Sequence, residues 1–224
     1  MHVGQVMRTD LVTITPDTSL VKAKDIISEK LIEHLLVVDT SGKLVGIVSD
    51  RDMKKTWASP ATTLSAHELN YLLKQLSVDT MMIKKIITIT PGTTIERAGR
   101  IMQENRISAL PVMEQDKLVG IITTTDVMGV LLDAIGINEE SMRFVVLMED
   151  RIGMVADVTR ILKEEKINIR SLVTWPEKAH PGIYQLVMRV GSADGKRTIA
   201  VLTEAGFKVL TEYVKDLSPY LPGN

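Results

Sequence analysis

The chain contains no cysteine, and aromatic residues make up only 4% of its 224 residues. The absence of cysteine excludes disulfides, thiolate nucleophiles and cysteine-ligated zinc or iron–sulfur sites. With only two phenylalanines, the core has to be built from aliphatic side chains and methionine, and platforms for stacking nucleic-acid bases are scarce. Basic residues are not in excess either, since 27 Lys and Arg face 28 Asp and Glu. Nothing in this balance indicates a nucleic-acid partner.

Long hydrophobic runs are also missing. No stretch approaches the roughly 18 uncharged residues of a membrane span, and the N-terminal segment MHVGQVMRTD lacks the apolar core of a signal peptide. We therefore expect a cytoplasmic protein with no membrane partner. A content of 45% hydrophobic and 25% charged residues is typical of a folded chain, and the length suits one large or two modest domains.

An internal repeat is the most informative feature that is present. Aligning residues 3–41 with 78–116, and 43–53 with 117–127, gives 19 identical pairs among 50. Each copy predicts a strand, a helix, two strands and a second helix. In the first copy the strand covers 11–15 and stops at Pro16, residues 17–19 offer N-caps, and one helix face carries Leu20, Ala23, Ile26, Ile27 and Leu31.

Apolar runs at 35–38 and 44–48 predict two buried strands joined by a tight turn, and 110–113 and 118–122 repeat them. Between the copies, Ser65 and Glu68 form a predicted capping box with a staple of Leu64 and Leu69. That box opens a predicted linking helix over about 66–76.

A third unit follows the repeats. Its pattern predicts strands at 144–148, 168–174, 184–190 and 208–214, with one helix after the turn at 150–153 and a second at 194–205 that ends at Gly206. The order βαββαβ indicates an antiparallel sheet with both helices on one face. The whole chain is thus of the α+β (mixed α/β) class.

The third strand of each repeat ends in a matching motif: Gly, two aliphatic residues, Ser or Thr, two residues, then Asp. These endings place Ser49 with Asp52 and Thr123 with Asp126. A strand that turns into a helix presents free N–H groups to an anion such as phosphate, and a carboxylate can accept hydrogen bonds from two ribose hydroxyls. The alternative is that Ser49 and Thr123 only cap the helices, with the aspartates favouring the helix dipole.

The tandem unit resembles a pair of cystathionine-β-synthase (CBS) domains. The resemblance is carried by the Thr-Ile-Thr-Pro segments at 13–16 and 88–91, by Leu110-Pro111-Val112 and by the two strand endings described above. The resemblance implies a pseudo-twofold pair of repeats with two clefts for adenine nucleotides or relatives such as S-adenosylmethionine. It implies that Asp52 and Asp126 bind ribose, that Ser49 and Thr123 approach phosphate, and that Thr13 and Thr88 lie near the base or ribose. His34 takes a position where a basic residue can face phosphate, whereas the second copy has Ala109; a purely structural histidine is the alternative.

The C-terminal unit resembles an ACT domain, and the segments Asp150 to Val155 and Lys166 to Ile169 carry the resemblance. The resemblance implies a regulatory module that binds an amino acid or small metabolite, with Asp150, Gly153 and Asn168 at a site shared across a subunit interface. A dimerisation module with an empty site is the alternative. Two CBS repeats followed by an ACT domain resemble the bacterial acetoin-utilisation protein family.

Signatures of catalysis are lacking in the sequence. It contains no Gly-x-Ser-x-Gly elbow or Gly-x-Gly-x-x-Gly loop, 191–197 has the wrong spacing for a P-loop, and the four histidines are widely spaced, so no metal site is expected.

We expect a non-catalytic sensor that needs no cofactor, takes an adenine nucleotide as regulatory ligand, forms homodimers or larger homo-oligomers, and regulates an unknown partner protein. The alternatives are an assembly protein without ligand and, less favoured, a nucleotide-hydrolysing enzyme. The expected boundaries are 1–57 for the first repeat, 58–77 for the linking helix, 78–133 for the second repeat, 134–142 for a linker and 143–224 for the ACT domain.

Overall fold

The computed structural model describes residues 1–56, 71, 73–137 and 140–223. Contacts divide the chain into two compact units, Met1–Met128 and Gly129–Asn224. The capping box at Ser65 and Glu68, its staple of Leu64 and Leu69, and most of the predicted linking helix lie outside the described residues.

The first repeat follows the predicted order. It contains β1 (Thr13–Ile14), α1 (Leu20–Lys30), β2 (His34–Val38), β3 (Leu44–Ser49) and α2 (Asp50–Thr56). The strands form one sheet in which β1 pairs with β2 in parallel and β2 pairs with β3 antiparallel. Ser49 and Thr13 therefore lie on strands that flank β2.

Helix α1 begins where the sequence predicts, because the Ser19 side chain accepts a hydrogen bond from the Lys22 N–H at 3.3 Å. Leu20, Ala23 and Ile27 are buried, as expected for its apolar face. The placement of Leu31 on that face is wrong, since its side chain is 89% exposed. Leu31 takes a left-handed conformation (φ 52°) that ends the helix and turns the side chain outwards.

The second repeat contains α3 (Ile95–Asn105), β4 (Ala109–Glu114), β5 (Lys117–Thr123) and α4 (Thr124–Ala134). Strands β4 and β5 form an antiparallel hairpin. The predicted leading strand is reduced to a single parallel bridge between Ile89 and Val112. In the first repeat too, the predicted strand at 11–15 shrinks to the two residues of β1.

The segments that lead into each repeat pair with the other repeat. Ile83 bridges Ile47 of β3, and Arg8 bridges Ile121 of β5, both antiparallel. Val78 is buried in the core of the first repeat together with Leu20, Leu35 and Val48. The two repeats therefore exchange their leading segments, and each sheet is completed by chain from its partner repeat.

The second unit contains β6 (Ser141–Glu149), α5 (Met154–Glu164), β7 (Ile169–Pro176), β8 (Ile183–Gly191), α6 (Gly195–Glu204) and β9 (Val209–Leu210). The sheet order is β7-β8-β6-β9, with every described pairing antiparallel. The predicted βαββαβ order is confirmed. Residues alternate along β6, so Phe144, Val146 and Met148 enter the main core of this unit while Val145 and Leu147 face the other side.

The last strand predicted over 208–214 is present but shorter, because β9 covers only Val209–Leu210. Val145, Leu147 and Leu210 form a small buried cluster on this face of the sheet. The C-terminal tail that follows β9 packs four apolar side chains against that cluster: Val214, Leu217, Tyr220 and Leu221. Their spacing of three to four residues suits this cover better than the alternation of a strand. The tail thus shields one face of the sheet.

Within the described residues, no helix has the length and apolar character that crossing a bilayer requires.

Candidate functional site

A cleft of about 870 Å³ opens in the first unit, beside the end of β3. Three residues singled out from the sequence line it: His34, Ser49 and Asp52. The second repeat contributes the opposite wall, including Arg106, Ile107 and Ser108 before β4 and the stretch 85–87 of the leading segment. The cleft is therefore built jointly by the two repeats, as the exchange of leading segments requires.

Ser49 and Asp52 hold each other at the start of α2. Asp52 Oδ2 accepts hydrogen bonds from the Ser49 hydroxyl at 2.6 Å and the Ser49 N–H at 3.4 Å, and the Ser49 Oγ accepts the Asp52 N–H at 3.2 Å. The predicted capping role of Ser49 is confirmed. The other carboxylate oxygen, Oδ1, lies 3.6 Å from Lys55 Nζ at the cleft.

The second ending repeats this geometry. Asp126 Oδ2 accepts from the Thr123 N–H at 2.8 Å and its hydroxyl at 2.7 Å, and Thr123 Oγ1 accepts the Asp126 N–H at 3.3 Å. Asp126 Oδ1 lies 3.4 Å from the Arg8 guanidinium, which comes from the leading segment of the first repeat. Neither Thr123 nor Asp126 lines the large cleft.

His34 lies at the start of β2, half-buried in the wall of the cleft. Its Nε2 shares a hydrogen bond of 2.9 Å with the Ser108 hydroxyl, while its Nδ1 is buried and has no partner among the described residues. Burial lowers the pKa of His34, against the opposing effect of the Glu33 and Asp52 carboxylates. This lowered pKa favours the neutral imidazole.

Charged side chains around the cleft are mostly basic. The five basic residues are Arg51, Lys54, Lys55, Lys85 and Arg106, and the three acidic ones are Glu33, Asp50 and Asp52. Lys54 pairs with Asp50 at 2.5 Å. Within the described part of the chain, Arg51, Lys85 and Arg106 form no ion pair, so their charges remain available to an anion.

Both repeats contribute apolar side chains to the lining, and together these are referred to as the apolar wall: Ile47, Ile83, Ile86, Ile87, Ile107, Ala109 and Pro111. Ile83 and Ile87 are partly exposed, at 46% and 36%, which leaves surface for a flat apolar group. The sequence alone did not identify this wall. Its only signal was the surplus of isoleucine at 83, 86, 87 and 107.

Thr88 lies away from the large cleft. It lines a separate open cavity of about 800 Å³ together with Lys84, Lys43 and Lys117. The leading segment is extended, so Ile83, Lys85 and Ile87 face the large cleft while Lys84 and Thr88 face the other cavity. Thr13, the equivalent of Thr88 in the first repeat, lines neither cavity.

In the second unit, the three predicted ligand residues are exposed and line neither cavity. Gly153 has a φ of 88° immediately before α5, a conformation that favours glycine. Asp150 follows the end of β6, next to the pairing of Glu149 with Ile183, whereas Asn168 precedes the pairing of Ile169 with Val190 at the other end of β8. Asp150 and Asn168 thus lie at opposite ends of the same sheet.

The described ranges contain no group of three or more His, Asp or Glu side chains placed to hold a metal ion.

Comparison with known proteins agrees with this architecture. The family model for the CBS domain matches residues 3–58 and 77–133, and the model for the ACT domain matches 142–207. A CBS domain-containing protein from Dictyostelium discoideum is 30% identical over 131 residues, which cover 58% of this chain and 90% of that protein.

A homoserine O-acetyltransferase from Methanohalobium evestigatum is 32% identical over 127 residues, which cover 56% of this chain. The matching part spans only 23% of that protein's length. The solved structure of a putative acetoin utilization protein from Vibrio cholerae is 28% identical, with a TM-score of 0.49, and covers 59% of this chain and 91% of that chain.

The two matches to the CBS model cover half of the chain, and the ACT match takes up most of the remaining unit. The chain belongs to the CBS-domain family, with two CBS domains followed by an ACT domain.

Proposed function

We propose that this protein is a regulatory protein that binds an adenine nucleotide in the large cleft between its two CBS repeats. The observation that carries the proposal is the composition of that cleft. It combines an apolar wall, a carboxylate at a helix start and a surplus of basic side chains in one space of about 870 Å³.

The basic side chains account for the phosphate. Arg51, Lys85 and Arg106 face the cleft without a described ion-pair partner, so a phosphate group gains their attraction without displacing an existing carboxylate. His34 adds a ring nitrogen that can take up a proton beside an anion. A ligand with at least one phosphate therefore suits this side of the cleft.

The remaining groups account for the nucleoside. Asp52 is placed to accept hydrogen bonds from ribose hydroxyls through Oδ1, since Oδ2 is engaged by Ser49. The partly exposed Ile83 and Ile87 offer a surface for the adenine ring. Ser49 keeps the carboxylate in place and presents the start of α2 to the ligand.

For the ACT domain we propose a ligand site or contact surface that two chains complete together. Asp150 and Asn168 lie at opposite ends of the sheet, so one small ligand can touch both only if they come from different chains. A homodimer or larger homo-oligomer follows from this proposal. Light scattering that gives the mass of a single chain, with and without amino acids, overturns it.

Regulation without catalysis completes the proposal: ligand binding biases the arrangement of the oligomer and thereby its hold on a partner protein. Sustained nucleotide hydrolysis by the pure protein, abolished by Asp52→Asn, would show an enzyme instead. Intact oligomers that bind no nucleotide would favour the alternative of an assembly protein.

The test is calorimetric titration with AMP, ADP, ATP, S-adenosylmethionine and NADH. The chain offers a matched pair of variants, Asp52→Asn and Asp126→Asn, because both carboxylates make the same cap and only Asp52 lines the cleft. We expect Asp52→Asn to weaken binding about tenfold or more and Asp126→Asn to leave it within about twofold, since a charge-assisted hydrogen bond is lost in only one case. Equal losses in both variants contradict the site assignment.

A further inference from the structure

The two repeats offer the same backbone frame at two places. Ile83 and Ile47 exchange hydrogen bonds of 2.9 and 3.2 Å, and Arg8 and Ile121 exchange bonds of 3.0 and 2.9 Å. Side-chain packing agrees, because a Cβ at Gly46 would collide with Met82 and a Cβ at Gly120 would collide with Met7. The leading segments therefore lie against β3 and β5 in equivalent ways.

The charges carried by this shared frame differ. In the repeat alignment, each basic residue of the large cleft corresponds to an acidic or uncharged residue on the other side. The pairs are Lys85 with Asp10, Arg106 with Leu31, Arg51 with Thr125, Lys54 with Met128 and Lys55 with Gly129. Arg51 is itself the counterpart of Thr125, which lines the cleft, so the alignment places it on both sides. An anion at the second position thus finds no basic residue in place of Lys54, Lys55, Lys85 or Arg106.

On the second side, the basic Arg8 stands where the large cleft has the apolar Ile83. Its guanidinium lies 3.4 Å from Asp126 Oδ1, and Oδ2 is already occupied by Thr123. Both carboxylate oxygens of Asp126 therefore have partners from the protein. Asp52 is occupied in the same way, since its Oδ1 lies 3.6 Å from Lys55 Nζ, so the two carboxylates do not differ in this respect. The charge of Arg8 is balanced by Asp126 rather than offered to a phosphate.

We infer that the chain binds one phosphorylated nucleotide, in the cleft at Asp52, because the equivalent position at Asp126 has the acidic Asp10 in place of Lys85 and uncharged residues in place of Lys54, Lys55 and Arg106. This inference rests on the proposed function and adds its stoichiometry and the residues that set its selectivity. The selectivity between the two positions is electrostatic, because the backbone frame that surrounds them is the same.

Calorimetric stoichiometry with ADP tests the inference on the full-length protein. Lys85→Ala removes a cation from the cleft, and Lys84→Ala is its matched control, since it makes the same change in net charge on the opposite side of the same segment. Arg8→Ala tests the second position. We expect one ADP per chain, affinity about tenfold lower in Lys85→Ala, and affinity within about twofold of the parent in Lys84→Ala and Arg8→Ala.

Two ADP molecules per chain overturn the inference and leave the proposed function standing. A single site that weakens in Arg8→Ala or Asp126→Asn, and not in Lys85→Ala, shows that the wrong position was chosen and also overturns it. No binding of any nucleotide removes the proposed function, and this inference with it.

Discussion

His34 and Ser108 join the two CBS repeats through a side-chain hydrogen bond of 2.9 Å between residues 74 positions apart. The bond crosses the wall of the candidate site, so the protonation of His34 and the packing of the two repeats depend on each other. No equivalent bond is available on the other side, where the counterparts are Ala109 and Glu33.

The first prediction concerns pH. Burial lowers the pKa of His34 from its ordinary value of 6.5, so the unfolded chain binds this proton more readily than the folded protein does. The contribution of His34 to stability is therefore full above that value and decreases as the pH falls below it. The free energy of unfolding of the wild type should therefore fall between about pH 7.5 and 5.5. We expect a smaller fall over the same range in His34→Gln, which has no titrating ring.

Urea unfolding at both pH values measures this difference. Ser108→Ala serves as a companion variant, since it removes the hydrogen-bond partner and keeps the titrating ring. An identical pH dependence of stability in the wild type and His34→Gln contradicts the prediction.

The second prediction concerns the two helix caps. Ser49→Ala and Thr123→Ala each remove a hydroxyl with two hydrogen bonds to the aspartate three residues later. The hydroxyl donates to the carboxylate of that aspartate and accepts from its backbone N–H. Each substitution should lower the free energy of unfolding by about 1 kcal/mol, the usual cost of a lost N-cap. Ser49→Thr and Thr123→Ser keep the hydroxyl, so their free energies of unfolding should stay near that of the parent protein. If these conservative variants lose as much stability as the alanine variants, capping is not the cause of the loss.

The third prediction concerns the core of the ACT domain. Phe144 is fully buried in it, whereas Ile152 is fully exposed in the turn before α5. Phe144→Ala should cost about 3–5 kcal/mol through lost burial and a residual cavity, and Ile152→Ala should cost almost nothing. Chemical denaturation monitored by circular dichroism provides the measurement, and comparable costs for the two variants would be inconsistent with this packing.

The fourth prediction concerns the C-terminal tail. Leu217 packs with the cluster of Val145, Leu147 and Leu210, while the nearby Tyr213 is 88% exposed. Leu217→Ser should loosen the tail, uncover that apolar face, and raise both the binding of a hydrophobic dye and self-association with concentration. Tyr213→Ser is the control, and equal dye binding by the two variants would show that the tail does not shield the sheet.

Much of the fold follows from local patterns. Caps such as Ser19, the apolar spacing of Leu20, Ala23 and Ile27, and the paired strands β2 and β3 can be predicted because each depends on neighbours in sequence. Leu31 fails for the opposite reason. Its apolar character fits the periodicity, but the left-handed helix end turns it to solvent.

The candidate site was predictable only in part. The motif endings identified Ser49 and Asp52, which do line the cleft. The opposite wall could not be predicted, because the pairing of Ile83 with Ile47 joins distant segments and leaves no periodic signal. The same pairing sets which residues of the extended segment face the cleft, and this is why Thr88 lies elsewhere and Lys85 lines it.

The exchange of leading segments also bears on how the chain folds. Arg8 reaches Asp126 across 118 residues, so a large loop has to close before this pairing can stabilise anything. Contacts of such high sequence separation slow folding and delay the gain in free energy until both repeats are present. During synthesis the first repeat leaves the ribosome with its sheet edge unpaired and its core short of Val78, and it can complete its structure only when the next segment emerges.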